Sequence, residues 1–223
     1  MLLEYACAQR KIREHVQIDF YTPEPGPMPV TGEKMSNQVR QLMESKGIVY
    51  HSGHSIVSVN NELKQIIFQN GAAVPYDLLI YVPPHKAPKC VLTGGLVDDS
   101  GWIPVDRHTM ATRFPRIFAI GDINSIPLVM GKPLPKAGVF AHAQAKAVAQ
   151  KITHEISGNG EELPFNGYGK CTLEIGGDLA GVGAGDFYAE PLPLVVLHEP
   201  NQAHHEGKVN YEKFWLSEWF ESK

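Results

Sequence analysis

An α/β fold with a small antiparallel C-terminal unit is what the sequence predicts, and three stretches predict it. Apolar residues at roughly helical spacing over residues 2–13 run into the alternating Val16-Gln17-Ile18-Asp19-Phe20-Tyr21, so a helix and then a strand arrive in the order of the second half of a βαβ unit. Ile117-Phe118-Ala119-Ile120 is too short for a buried helix and rich in β-branched residues; it reads as a buried strand that stops at Gly121 and feeds an Ala-rich helix after Pro135. From Gly169 onward, short apolar runs punctuated by glycine read as hairpins.

Leu2, Leu3, Ala6 and Ile12 form the apolar stripe of the first helix, and the first strand ends in Thr22-Pro23-Glu24-Pro25. A helix over residues 35–46 carries Met35, Val39, Leu42 and Met43 on one side and is closed by Gly47, after which Ile48-Val49-Tyr50-His51 is the next strand. Short strands at 55–59, 64–68 and 72–74, separated by Asn60-Asn61 and Asn70-Gly71, form a meander. Tyr76-Asp77-Leu78-Leu79-Ile80-Tyr81-Val82 is the strongest strand pattern of all, ended by Pro83-Pro84, where the chain leaves one domain for another. In the helix after Pro135, Ala141, Ala143, Ala145, Ala147 and Ala149 allow a neighbouring layer to approach closely, and the composition shifts at Gly158-Asn159-Gly160. Strands at 169–175, 178–182 and 185–189 make the small sheet, and the tail from Lys208 to Lys223 is a helix with Tyr211, Trp215 and Trp219 four residues apart and Leu216 and Phe220 beside them.

The chemistry concentrates between Ile117 and the start of the Ala-rich helix. Ligands of open α/β sheets bind beyond the carboxyl ends of strands, and Asp122 stands there, able to accept hydrogen bonds from a sugar-like hydroxyl chain. The helix after Pro135 and Gly138 turns its first N–H groups and its positive dipole end toward the same place, so Gly121, Asp122, Lys136, Ala137, Gly138 and Val139 are the candidate binding residues. The pattern I-F-A-I-G-D, then L-P-K-A-G-V-F-A-x-x-Q-A, resembles the second FAD-contacting segment of two-dinucleotide-domain flavoproteins, in particular the sulfide:quinone oxidoreductase and flavocytochrome c sulfide dehydrogenase branch. That resemblance implies an α/β, Rossmann-like, partial FAD/NAD(P)-binding flavoprotein. It would comprise a partial NAD(P)-binding-like domain at 1–84, the returning segment of the FAD domain at 85–157 and a small α+β interface domain at 158–223. It also implies that Asp122 meets the FAD ribityl chain, that the helix N-terminus lies against the flavin pyrimidine and that Lys136 stabilises the anionic reduced ring. Cys171 corresponds to the second redox cysteine, whose partner lies in a C-P-G segment that precedes this region in the relatives. Electrons would then pass from sulfide or another small thiol to flavin, and on to a quinone or cytochrome. The first strand and Thr22-Pro23-Glu24-Pro25 resemble the stretch just C-terminal to that C-P-G segment, while no G-x-G-x-x-G fingerprint occurs in these residues.

Composition narrows the alternatives. With 223 residues, 43% of them hydrophobic, the chain can bury a sizeable core, and a net charge of -4 with scattered acids and bases gives no electrostatic footprint for nucleic acid. Cys7, Cys90 and Cys171 form neither a disulfide framework nor a metal-ligand spacing, which suits a reducing, cytoplasmic setting. His51-x-x-His54 and His204-His205 suggest no third ligand, so no metal is expected. Glu24 follows a strand end, but prolines flank it and no glycine fingerprint precedes it, so it reads as a loop carboxylate and no NAD site is expected. The absence of a long apolar run near Met1 argues against a leader or spanning helix, and packing of the tail helix against the body competes with peripheral contact at the inner membrane surface. Bare sheet edges point to a homo-oligomer, and the missing glycine loop points to a chain that loses FAD on purification. Two other classes stay open: a type-2 NADH:quinone oxidoreductase-like flavoenzyme, and a catalytically silent fragment or interaction module.

Overall fold

The computed structural model describes residues 1–221. The chain divides into two units: Met1–Val82 with Thr172–Gly183 and the residues from Val196 on, and Pro83–Cys171 with Ala184–Val195. Residues 158–223, expected as a separate C-terminal domain, are therefore apportioned between the two.

In the first unit, α1 (Leu2–Gln9) precedes β1 (Ile18–Tyr21), and α2 (Glu33–Ser45) precedes β2 (Ile48–His51). β1 and β2 pair in parallel with Ile18 opposite Ile48 and Tyr21 opposite His51. Val39 and Met43 of α2 and Ile48 of β2 form a buried cluster against which Ile18, Tyr50, Leu173 and Leu197 pack, so the second helix covers one face of the pair as its apolar spacing requires. The first helix stops at Gln9, short of the expected residue 13, because Lys11 takes a left-handed conformation at φ 58°. β3 (Ile56–Asn60), β4 (Gln65–Phe68) and β5 (Ala73–Pro75) form the expected antiparallel meander.

Tyr76–Val82 is a correction. The segment is not a strand; Leu78, Ile80 and Val82, alternate residues that a strand would turn to one face, are 71%, 70% and 74% exposed. A strand exists only by sharing its hydrogen bonds with a neighbour, and no strand pairs with this run among the described residues. The same reason corrects Ile117–Ile120, which makes a single bridge, Ala111 to Phe118, and leaves Ile117 and Ile120 exposed.

The second unit is built round α4 (Gly138–Ser157), which follows the short α3 (Lys89–Thr93) and the two-residue parallel pair of β6 (Ile103–Pro104) and β7 (Asn124–Ser125). Its core holds Met110, Ile126 and Phe140, with Phe165 and Phe187 set edge-on to the Phe140 ring at centroid distances of 6.2 and 5.0 Å. The α4 helix ends at Gly158 in the left-handed conformation, which is where the composition shifts.

The C-terminal sheet has the order β10-β9-β8, from β8 (Tyr168–Gly176), β9 (Leu179–Asp186) and β10 (Leu194–Asn201). Gly176, Gly177 and Asp178 all take positive φ, which makes the tight β8–β9 turn. The third strand is Leu194–Asn201 rather than 185–189: Gly185 and Asp186 end β9, and Phe187 to Ala189 turn away, the Tyr188 N–H being caught by the Asp186 carboxylate at 2.7 Å. The tail helix α5 (Gln202–Phe220) starts before Lys208, capped by the Asn201 side chain, which accepts from the His204 N–H. It buries no residue fully, and His205 and Lys208 anchor it to Glu174 at 3.0 and 3.4 Å. Tyr211, Phe214, Leu216, Trp219 and Phe220 are all at least half exposed and spread round the helix rather than along one face. The last two residues of the expected tail helix lie outside the described residues.

Candidate active site

Although no strand leads into it, Asp122 and the helix N-terminus expected beside it are brought together. Gly121 turns the chain at φ 71° into a single 3-10 turn, Gly121–Ile123, and a Cβ there would lie 3.2 Å from Ala141 Cβ on α4. Both the backbone angle and the close approach to the helix require glycine. The Asp122 side chain is exposed. Across from it, α4 begins at Gly138 with Ala137 as its extended N-cap residue and no side-chain cap, so the first helical N–H groups are not covered by a side chain. A Cβ on Gly138 would have no atom within 4 Å, which leaves that backbone open to a ligand. Between turn and helix lies a cavity of about 10 Å³, room for roughly one water, bordered by Asp122, Ala137, Phe140 and Gln144.

What fixes the turn is a buried amide network that motif and spacing alone do not single out. Gln144, only 2% exposed, accepts hydrogen bonds through Oε1 from the Gly121 N–H at 2.7 Å and from Asn124 Nδ2 at 3.0 Å. Asn124 Nδ2 also donates to the Ala119 carbonyl at 3.0 Å. Gln144 stands within the L-P-K-A-G-V-F-A-x-x-Q-A pattern, nearly two turns into the helix, and a polar residue on an apolar helix face is the signal that marks it in the sequence.

Lys136 is an exposed residue whose ammonium lies back against the chain, donating to the Asp122 and Asn124 carbonyls, the latter at 2.9 Å, and standing 3.6 Å from the centre of the Trp102 ring. Burial pushes it below the usual lysine range, with Asp122 pulling partly the other way.

Cys171 lies in β8, and its neighbourhood follows from strand geometry. Two residues before it, a Cβ on Gly169 would lie 2.4 Å from the Phe140 ring, so the first turn of α4 packs on that position. Side chains two apart share a strand face, so Cys171 is on the α4 side of β8, about 7 Å along the strand from Gly169. It is half-buried, and burial pushes its thiol up. Cys7 is buried and Cys90 exposed, and all three are free thiols. Alkylation at neutral pH is therefore expected to modify Cys90 first. Cys171 should react about tenfold more slowly, catching up only at alkaline pH, which peptide mapping after timed labelling would show.

The remaining candidates are engaged elsewhere. His51 Nε2 lies 2.7 Å from Asp19 Oδ1 with its ring stacked on Tyr21, His54 meets Tyr21 and Phe68 edge-on, and His204 bonds the Ala180 carbonyl. Among the described residues no group of three or more His, Cys, Asp or Glu is placed to hold a metal ion, and no helix is long and apolar enough to cross a membrane.

Comparison with known proteins gives this geometry a context. The profile described as pyridine nucleotide-disulphide oxidoreductase matches residues 3–147. The mitochondrial sulfide:quinone oxidoreductase of Schizosaccharomyces pombe is 29% identical over 176 residues, covering 75% of this chain and 37% of the relative. The sulfide-quinone reductase of Aquifex aeolicus is 25% identical over 237 residues, covering 97% of this chain and 53% of the relative. The solved structure of the sulfide:quinone oxidoreductase from Aquifex aeolicus superposes with a TM-score of 0.80 at 23% identity, over 96% of this chain and 52% of that one. A NAD-dependent persulfide reductase from A. fulgidus shares the fold more distantly, with a TM-score of 0.55 over 78% of this chain and 32% of that one. The chain thus spans about a third to a half of the length of these relatives. Since the family profile covers more than half of its residues and the fold agrees, the chain belongs to the pyridine nucleotide-disulphide oxidoreductase family.

Proposed function

We propose that this chain forms the C-terminal portion of an FAD-dependent oxidoreductase of the sulfide:quinone type. The observation that carries the reading is the pairing of an exposed carboxylate, Asp122, on a turn tied down by Gln144 with the uncapped N-terminus of α4. These residues suit a flavin: Asp122 would accept from ribityl hydroxyls, and the backbone at Ala137, Gly138 and Val139, with the positive end of the helix dipole, would face the acceptor edge of the pyrimidine. Bound there, FAD supplies a two-electron acceptor that can pass its electrons on to a quinone or a cytochrome. Lys136 contributes through its charge rather than by donating to the ring, because its ammonium is bonded to the Asp122 and Asn124 carbonyls. Cys171, on the α4 side of β8, would carry the sulfur: with Cys171 held in a disulfide, a hydrosulfide ion would attack that bond, one sulfur keeping the added sulfur as a persulfide and the other leaving as a thiolate whose electron pair the bound flavin would accept, while burial, which favours the thiol, keeps reduced Cys171 slow to react.

Because the phosphate-cradling glycine loop is not in these residues, the purified chain is expected to be colourless. Added FAD should bind weakly, and Asp122→Ala should weaken it further, by about tenfold, when titrated by quenching of flavin fluorescence. A stoichiometric flavin spectrum surviving gel filtration would refute the first expectation, and equal affinity of the Asp122→Ala protein would remove Asp122 from the site.

The exposed apolar run at Leu78, Ile80 and Val82 supports a homo-oligomer. The aromatic end of α5 supports peripheral membrane contact in a protein of the cytoplasm. With acids and bases balanced in the tail, binding to vesicles should be weak and insensitive to salt. Deletion of residues 208–223 should abolish co-sedimentation with vesicles, and unchanged pelleting after that deletion would count against the tail.

A further inference from the structure

Trp102 belongs to none of the motifs above, yet it is the side chain that meets the candidate site from another part of the sequence. The parallel pairing of Ile103 with Asn124 brings residue 102 alongside the turn that carries Asp122. The Lys136 ammonium then lies 3.6 Å from the centre of the indole ring and within hydrogen-bond reach of both the Asp122 and the Asn124 carbonyl. A lysine head at a surface is normally held by water, and its long stem gives it many alternatives. An indole face is the best aromatic surface for an ammonium, and although Lys136 as a whole residue is exposed, the ring shields one side of its head. The turn is thus tied from both sides, Gln144 holding the Gly121 N–H and Lys136 holding two carbonyls further on. Trp102 is itself only partly buried, which suits a lid on a cation better than a residue whose main contribution is filling the core.

We propose that Trp102 is a positioning residue: by covering the Lys136 ammonium it holds that ammonium on the turn and fixes the backbone from which the Asp122 carboxylate projects. The functional part of this inference rests on the reading of Asp122 as a flavin contact; the clamp itself does not.

The test uses the full chain with Trp215→Phe and Trp219→Phe, which leaves Trp102 as the only indole. Its emission, followed between about pH 8 and 11, should change with a midpoint below the ordinary lysine value of 10.5, and Lys136→Met should abolish the transition. In the otherwise native chain, Trp102→Leu should speed amide exchange across residues 121–124 by about tenfold, whereas Trp102→Phe, which keeps an aromatic face, should restore it to within about twofold of wild type. A Trp102 profile unaffected by Lys136→Met overturns the clamp, as does unchanged exchange in Trp102→Leu. Should Trp102→Leu not fold, the emission profile and the Trp102→Phe and Lys136→Met exchange rates decide the matter. If the clamp holds while Asp122→Ala leaves FAD affinity unchanged, the flavin reading fails and the positioning of the turn stands.

Discussion

Replacing Cys171 with serine in the complete flavoprotein is expected to abolish sulfide-dependent flavin reduction while leaving FAD bound. On the proposed reading the half-buried sulfur on the α4 side of β8 would be the one that serves the flavin; the buried Cys7 belongs to the other unit and Cys90 is exposed on α3. Serine keeps the shape, being slightly smaller and more polar, but cannot form a disulfide or a persulfide, so the sulfur-transfer route is lost outright rather than slowed. Anaerobic mixing with sulfide, followed by the loss of flavin absorbance, measures it. Reduction at the wild-type rate would sink the sulfide assignment and leave the NADH-dependent flavoenzyme as the better reading; NADH would then bleach the flavin where sulfide does not.

Substituting Gln144 with leucine should produce the largest loss of stability of any change at the site. The leucine fills much the same space, but the Gly121 N–H loses its acceptor and Asn124 Nδ2 loses one of two, keeping the Ala119 carbonyl. Burying donors without partners costs about 2–4 kcal/mol in total, roughly 10 °C in Tm for a chain of this size. Gln144→Glu, which keeps an oxygen at the same place, should recover much of it. Thermal unfolding followed by circular dichroism compares the three proteins, and a Gln144→Leu chain as stable as wild type would show that the network does not hold the turn.

Much of this is legible in the sequence, for reasons that differ from element to element. The α2 helix and the β3–β5 meander are held by contacts close in sequence, so apolar period and turn residues are enough to find them; β2 is found by its apolar run although its ladder partner, β1, lies thirty residues back. The Gly121-Asp122 turn and the start of α4 are readable because Gly121 takes a positive φ against the helix and Pro135 and Gly138 mark the run into it. Tyr76–Val82 and Ile117–Ile120 mislead because their composition reports a buried strand while strand formation depends on a neighbour that composition cannot reveal. The folding back of Lys136 and the parts played by Trp102, Asn124 and Gln144 depend on pairing between β6 and β7 and on packing against α4, which join residues far apart in the chain. A lysine beside a helix N-terminus reads equally well as a ligand-facing cation or as an internal tie.

The bare run from Tyr76 to Val82 also governs how the protein behaves in a concentrated solution. Leu78-Leu79-Ile80-Tyr81-Val82 is an unbroken stretch of β-prone apolar residues, and Asp77 is the only charge in the run, a composition suited to stacking into intermolecular cross-β ribbons. Pro83 and Pro84 follow at once, and neither can donate a ladder hydrogen bond. The prolines stand where gatekeepers are found, flanking the apolar run: they bound the length of strand that could join such a ribbon and keep the pairing from spreading into the residues that follow.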